Sequence, residues 1–272
     1  MIYAFDSRDR LKDIKLHYDQ VKELRNSFSE KRSKYRTVAN ILKFNFRSLE
    51  RSYKEFEKSL LINCYTFMEQ LIKSYIYHLL EKGTNENSYI NNFIENKINS
   101  DKFSPNVKLE TIKKILTEEL GVRLEFLIVI ENSKIEKYDE LIKSRHKYAH
   151  SGNYYFDFYN FKEVIEVIEY LRFEIYSDIE CKGEYKKFKI LITKIRKQID
   201  IFNKNTNQSK QYLKRIVVEI RKDLSETISL SKYLGVNNIA LLKKIPEDLD
   251  KIKNIDLRNY NKSLDIINNI SL

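Results

Sequence analysis

Apolar residues recur three and four positions apart through most of the chain, the spacing that lines them along one face of an α-helix. Only 2 Pro and 5 Gly occur in 272 residues, so little interrupts that spacing. Proline removes a helical hydrogen bond, and glycine costs about 1 kcal/mol relative to alanine in a helix. The pattern therefore predicts an all-α protein. A polar first helix is expected over Ser7 to Arg32, and a long second one from about Phe46 to Lys82. The second carries Leu60, Cys64, Phe67, Met68, Leu71, Ile72, Tyr75 and Leu79 on one broad face, which makes it the expected core element.

Further along, residues 84 to 108 are rich in Asn and Ser and read as a surface connection holding one short helix. Amphipathic helices are expected over Leu109 to Leu120 and Lys134 to Tyr148. The apolar run Leu124 to Ile130 between them is either a buried helical turn or a short strand, because periodicity cannot decide over so few residues. Phe161 to Tyr176 repeats the helical spacing and closes a first domain. Gly83, Gly152, Gly183 and Gly235 each follow a periodic segment, where a left-handed residue ends a helix and glycine adopts it without steric cost. Gly183 thus separates a first domain, 1–180, from a C-terminal region, 181–272. That region is expected to be a helical hairpin, Tyr185 to Phe202 and Gln211 to Leu234, with a less regular tail beyond Pro246.

Charge sharpens this division. The net charge is +11, yet residues 1–180 hold 30 Lys/Arg against 29 Asp/Glu, while residues 181–272 hold 20 against 10. Between Lys182 and Arg215, 11 basic residues face only Glu184 and Asp200. Such a cluster suits a polyanion, and Lys186, Lys187, Lys189, Lys194, Arg196 and Lys197 are the expected RNA contacts. A solvated helix face would carry the same composition.

Cys64 and Cys181 stand alone, without a partner at metal-ligand spacing, so neither a disulfide framework nor a zinc site is indicated and no cofactor is expected. The N-terminus lacks an apolar signal core, and runs such as Phe126 to Ile130 are too short to cross a bilayer. A cytoplasmic protein with no membrane partner is the expectation.

The candidate chemistry lies in Leu141-Ile142-Lys143-Ser144-Arg145-His146-Lys147-Tyr148-Ala149-His150-Ser151-Gly152, which holds half of the chain's four histidines. Histidine exchanges protons near neutrality, and arginine is a permanent cation that can hold a phosphate. Together they point to phosphodiester chemistry. On an ideal helix Arg145 and His150 stand roughly 140° apart, so both face one cleft only if the helix unwinds at His150, an ending that Ser151 and Gly152 supply. The same residues also suit a plain helix C-terminus, where cations are favoured by about 0.3–1 kcal/mol. Arg10 also precedes a histidine, His17, by seven positions, but on a polar leading helix, and this pair is set aside.

Arginine, four residues and histidine, read as Arg145 to His150 and followed by Ser-Gly, resembles the signature of the HEPN superfamily, all-helical proteins that include many metal-independent ribonucleases of bacterial defence and toxin systems. The resemblance extends to Leu60 through Ile72, which looks like the long HEPN helix with a glutamate, Glu69, in an apolar register, and it covers about residues 46–178. It implies a HEPN-like bundle with a C-terminal helical extension. It further implies an endoribonuclease, a toxin or antiviral effector, whose active site is completed by a symmetric homodimer. In that scheme His150 transfers the proton, Arg145 holds the scissile phosphate, His146 assists or orients, and Glu69 hydrogen-bonds the arginine; a buried carboxylate is costly unless paired. As a surface residue, Glu69 would be an ordinary helix charge. RNA is the implied substrate, with a cognate antitoxin or defence-system subunit as a further partner. The basic C-terminal third has no counterpart in the resemblance. Two other readings stay open: a non-catalytic helical module binding RNA or protein, and an antitoxin or adaptor that neutralises an acidic protein.

Overall fold

The computed structural model describes residues 5–81, 105–119, 125–204, 209–270 and 272. Among them every regular element is helical, as the spacing predicts. The order is α1 (Ser7–Glu30), α2 (Arg32–Ile41), α3 (Phe46–Glu81), α4 (Leu109–Lys114, continued by a π-helical turn, Ile115–Glu119), α5 (Asn132–Ser151), α6 (Phe161–Glu180), α7 (Lys182–Lys204), α8 (Lys210–Tyr233), α9 (Lys244–Lys253) and α10 (Tyr260–Asn268). Most of the connection expected over 84–108, and Gly83, lie outside the described residues.

The chain forms two compact units, residues 1–125 with 130–168, and residues 126–129 with 169–272. The division falls within α6, not at Gly183. That glycine sits in the first turn of α7 with no positive φ, whereas Gly152 and Gly235 are left-handed, with φ of 68° and 69°. Only the latter two end helices, since a first helical turn needs no left-handed residue.

In the first unit, Asp6 caps α1 by accepting from the backbone N–H groups of Arg8 and Asp9 at 3.0 and 3.1 Å. Leu11, Ile14, Val21 and Phe28 form the buried stripe of α1, which packs against α3. α3 buries Leu60, Leu61, Cys64, Tyr65, Phe67, Met68, Leu71, Ile72, Tyr75 and Ile76, confirming it as the core element. α5 packs on α3 through Tyr138, Leu141 and Ile142, and the Tyr138 hydroxyl donates to the Val107 carbonyl at 2.7 Å.

The second unit is built on α7 and α8. α7 buries Tyr185, Phe188, Leu191, Ile192, Ile195, Ile199 and Phe202, and α8 answers with Leu213, Ile216, Val217, Ile220 and Leu224. The tail beyond Pro246 is more regular than its sequence suggests. Pro246 lies in the first turn of α9, where a missing N–H costs nothing, and Ile245, Leu249 and Ile252 then share a buried face.

Residues 125–131 are neither the helical turn nor the strand that the apolar run allows. Leu127 is buried and Val129 is 94% exposed, so the run does not bury as a block. Backbone groups removed from water need partners, and here side chains provide them. Glu174 accepts from the Leu127 N–H at 2.7 Å, the Tyr170 hydroxyl accepts from the Ile128 N–H at 3.0 Å, and Arg196 Nη1 donates to the Leu127 carbonyl at 2.8 Å.

Candidate active site

α5 stays helical through Ser151, then ends at Gly152, whose N–H donates to the Tyr148 carbonyl at 2.9 Å. The Ser151 hydroxyl donates back to the Lys147 carbonyl at 2.8 Å, completing the last turn. The expected unwinding at His150 is therefore absent, because a left-handed glycine cap terminates the helix two residues later. At about 100° per residue, Arg145 points roughly 140° from His150, while His146 and His150 lie about 40° apart on one face. The fold thus pairs two exposed imidazoles more closely than it pairs the arginine with His150.

Tyr65 of α3 organises the other side. The half-buried Arg145 guanidinium lies 4.2 Å from the Tyr65 ring centroid, a cation–π contact, and His146 meets the same ring edge-on at 5.7 Å. Among the described residues Arg145 is in none of the ion pairs, and the Tyr65 ring is its neighbour. Glu69 is half-buried one turn beyond Tyr65 on α3. Burial pushes the Tyr65 hydroxyl pKa up, the Arg145 charge opposes this, and the Glu69 charge adds to it. The His146 pKa is lowered, first by desolvation of the exposed ring where it meets its neighbours, then by the charges of Arg145, His150 and Lys108. An imidazole that resists protonation, beside a guanidinium held on an aromatic ring, can accept a proton and hold a phosphate. Sequence reasoning missed Tyr65, although its place one turn before Glu69 on the same face was visible.

The second match to the motif has its own geometry. Arg10 and His17 are seven residues apart on α1, about 20° from eclipsed. Arg10 lines a cavity of about 390 Å³ with Asp13, Asn63, Thr66 and Gln70. His17 Nδ1 lies 3.2 Å from the Asn63 side-chain nitrogen, and burial lowers the His17 pKa. The composition of α1 is polar, but this particular face packs on α3, which a count of polar residues does not reveal.

The six expected RNA contacts belong to the second unit and divide by environment. Lys187 pairs with Glu226, and Lys194 with Asp223. Lys189 lies 4.6 Å from the Tyr185 ring centroid. Arg196 is half-buried, and its Nη1 donates to the Leu127 carbonyl, which engages part of its guanidinium within the protein. Among the described residues, Lys186 and Lys197 are exposed and in no ion pair. Lys186→Ala with Lys197→Ala is expected to reduce the salt slope of RNA affinity by about 0.7 per lost phosphate contact. Arg196→Ala is expected to lower the melting temperature and leave that slope alone; the reverse pattern would make Arg196 the RNA ligand.

Among the described residues no group of three His, Cys, Asp or Glu could hold a metal ion, and no helix is long and apolar enough to cross a membrane. No family model, curated protein or solved structure matches the chain.

Proposed function

We propose that this chain is an endoribonuclease of the HEPN type, acting as a toxin or antiviral effector on RNA without a metal. The observation that carries the reading is the pair His146 and His150, exposed four residues apart at the end of α5, with Arg145 held against Tyr65 beside them. His146, its pKa lowered, takes the proton of a ribose 2′-hydroxyl. The 2′-oxygen attacks the adjacent phosphorus, the bond to the 5′-oxygen breaks, and His150 returns a proton to that leaving oxygen. The products are a 2′,3′-cyclic phosphate and a 5′-hydroxyl. Arg145 offers charge to the phosphorane, where negative charge develops. One arginine leaves much of that charge unmet, so a second copy of the motif across a two-fold axis completes the site in a homodimer.

The test is cleavage of labelled single-stranded RNA in a chelator, with the product ends identified and the mass of the active species measured. Cyclic phosphate ends from a dimer are expected. The acidic limb of kcat/KM should lie below 6.5, because a base whose pKa is lowered stays unprotonated further into acid. RNA bound with a steep salt dependence and no turnover would instead indicate a non-catalytic RNA-binding module.

A further inference from the structure

The first unit holds another concavity, of about 550 Å³, that begins at Gly152, two residues beyond His150, and runs along α3 past Tyr53, Lys54 and Lys58. Its cations outnumber its acids. Arg25 is fixed there by Glu57, Nη1 to Oε1 at 2.7 Å, and lies 5.2 Å from the ring centroids of both Phe158 and Tyr159. Lys58 reaches 2.7 Å from the exposed Glu55 and stands 5.5 Å from the ring of Tyr148, which lies between the two candidate histidines in sequence. Lys54 is exposed and, among the described residues, in no ion pair.

Two tyrosines complete the lining. The Tyr154 hydroxyl oxygen is buried, and among the described residues it has no hydrogen-bond partner. A buried phenol ordinarily finds one, and this oxygen is shut off from the open space of the cavity, so it adds no ligand contact. Tyr155, by contrast, is 71% exposed and offers an open ring face near Lys147, whose Nζ lies 5.9 Å from the centroid. Cations and an open aromatic ring together match a ligand with a phosphate and a flat base.

We infer that this cavity takes one phosphorylated nucleoside unit, its phosphate on Lys54 and Lys58 beside Arg25 and its base on Tyr155. That the unit flanks the cleaved linkage rests on the ribonuclease reading; the ligand chemistry does not. Arg25 neutralises Glu57 and Lys58 lies within reach of the exposed Glu55, so Lys54 supplies the excess charge.

The experiment measures binding of a labelled 2′-O-methyl RNA trinucleotide, which cannot be cleaved, to the full chain. A nucleoside monophosphate and inorganic phosphate serve as competitors. Lys54→Ala with Lys58→Ala is expected to weaken nucleotide binding at least about tenfold, and Tyr155→Ala to weaken the nucleotides while leaving phosphate unchanged. Lys54 and Tyr155 are exposed and Lys58 is half-buried, and an unchanged melting temperature verifies folding. Competition by the monophosphate at the concentration that binds it directly identifies a free nucleotide as occupant, whereas binding of the trinucleotide alone identifies a unit within a strand. If both variants bind every probe as the parent does, the inference is overturned. Should those variants also cleave RNA as the parent does, the cavity fails and the ribonuclease reading stands. A parent protein that binds through Lys54 and Lys58 but never cleaves upholds the cavity and sinks the ribonuclease reading.

Discussion

His146→Ala and His150→Ala are each expected to slow RNA cleavage by about 10²- to 10⁴-fold, the range that a positioned acid or base supplies, while helical circular dichroism stays at the parent level. Both rings are exposed at the end of α5, so neither truncation opens a cavity in the core. Arg145→Lys should be nearly as damaging, because lysine keeps the charge and loses the planar fork that stacks on Tyr65. His17→Ala is the informative control. His17 is hydrogen-bonded to Asn63 in the α1–α3 groove, and its loss should leave the rate close to that of the parent. If His17→Ala abolishes cleavage and the α5 variants do not, the active site belongs to Arg10 and His17, and the assignment moves to that groove.

The largest expected effect on stability lies in the second unit. Glu174 is fully buried and accepts from the Leu127 N–H and the Tyr170 and Tyr185 hydroxyls. Glu174→Ala leaves the Leu127 N–H and the Tyr185 hydroxyl without an acceptor, while the Tyr170 hydroxyl keeps the Ile128 carbonyl; at about 1–3 kcal/mol of desolvation each, a loss of about 2 kcal/mol or more is expected in urea unfolding. A sign follows for pH. Burial raises the Glu174 pKa above its ordinary 4.5, and the three hydrogen bonds oppose the shift without cancelling it. The folded state then binds more protons than the unfolded one between the two pKa values. Its contribution is complete below 4.5 and is lost as pH rises through the folded value. The parent should therefore lose stability relative to Glu174→Gln as pH is raised from 4.5, and a pH-independent difference between the two would refute this account.

Comparing the sequence with the fold, helix content and the core face of α3 were legible because helical hydrogen bonds are local and the burial of Leu60, Met68, Leu71 and Tyr75 repeats at helical spacing. The break at Lys31 that separates α2 from α1, and the helices α9 and α10, were not legible. Both depend on packing more than on propensity. The candidate motif was visible as a run of residue types, but its geometry was not. The resemblance joined Arg145 to His150, with unwinding at His150 as the condition; the observed cap at Gly152 keeps the helix intact and gives His146 and His150 the shared face instead.

By itself, the sequence determined an all-helical chain, its main core helix, the concentration of positive charge after residue 180, and the place of the Arg145 to His150 segment at a helix end. Tertiary structure alone decided which charges are committed. Lys187 and Lys194 meet carboxylates on α8, Arg196 turns to the Leu127 carbonyl, and Arg145 finds the Tyr65 ring. The reason is range: a helix closes its hydrogen bonds within four residues, so local sequence dictates it, whereas a side chain finds its partner tens of residues away, only where packing brings the two together.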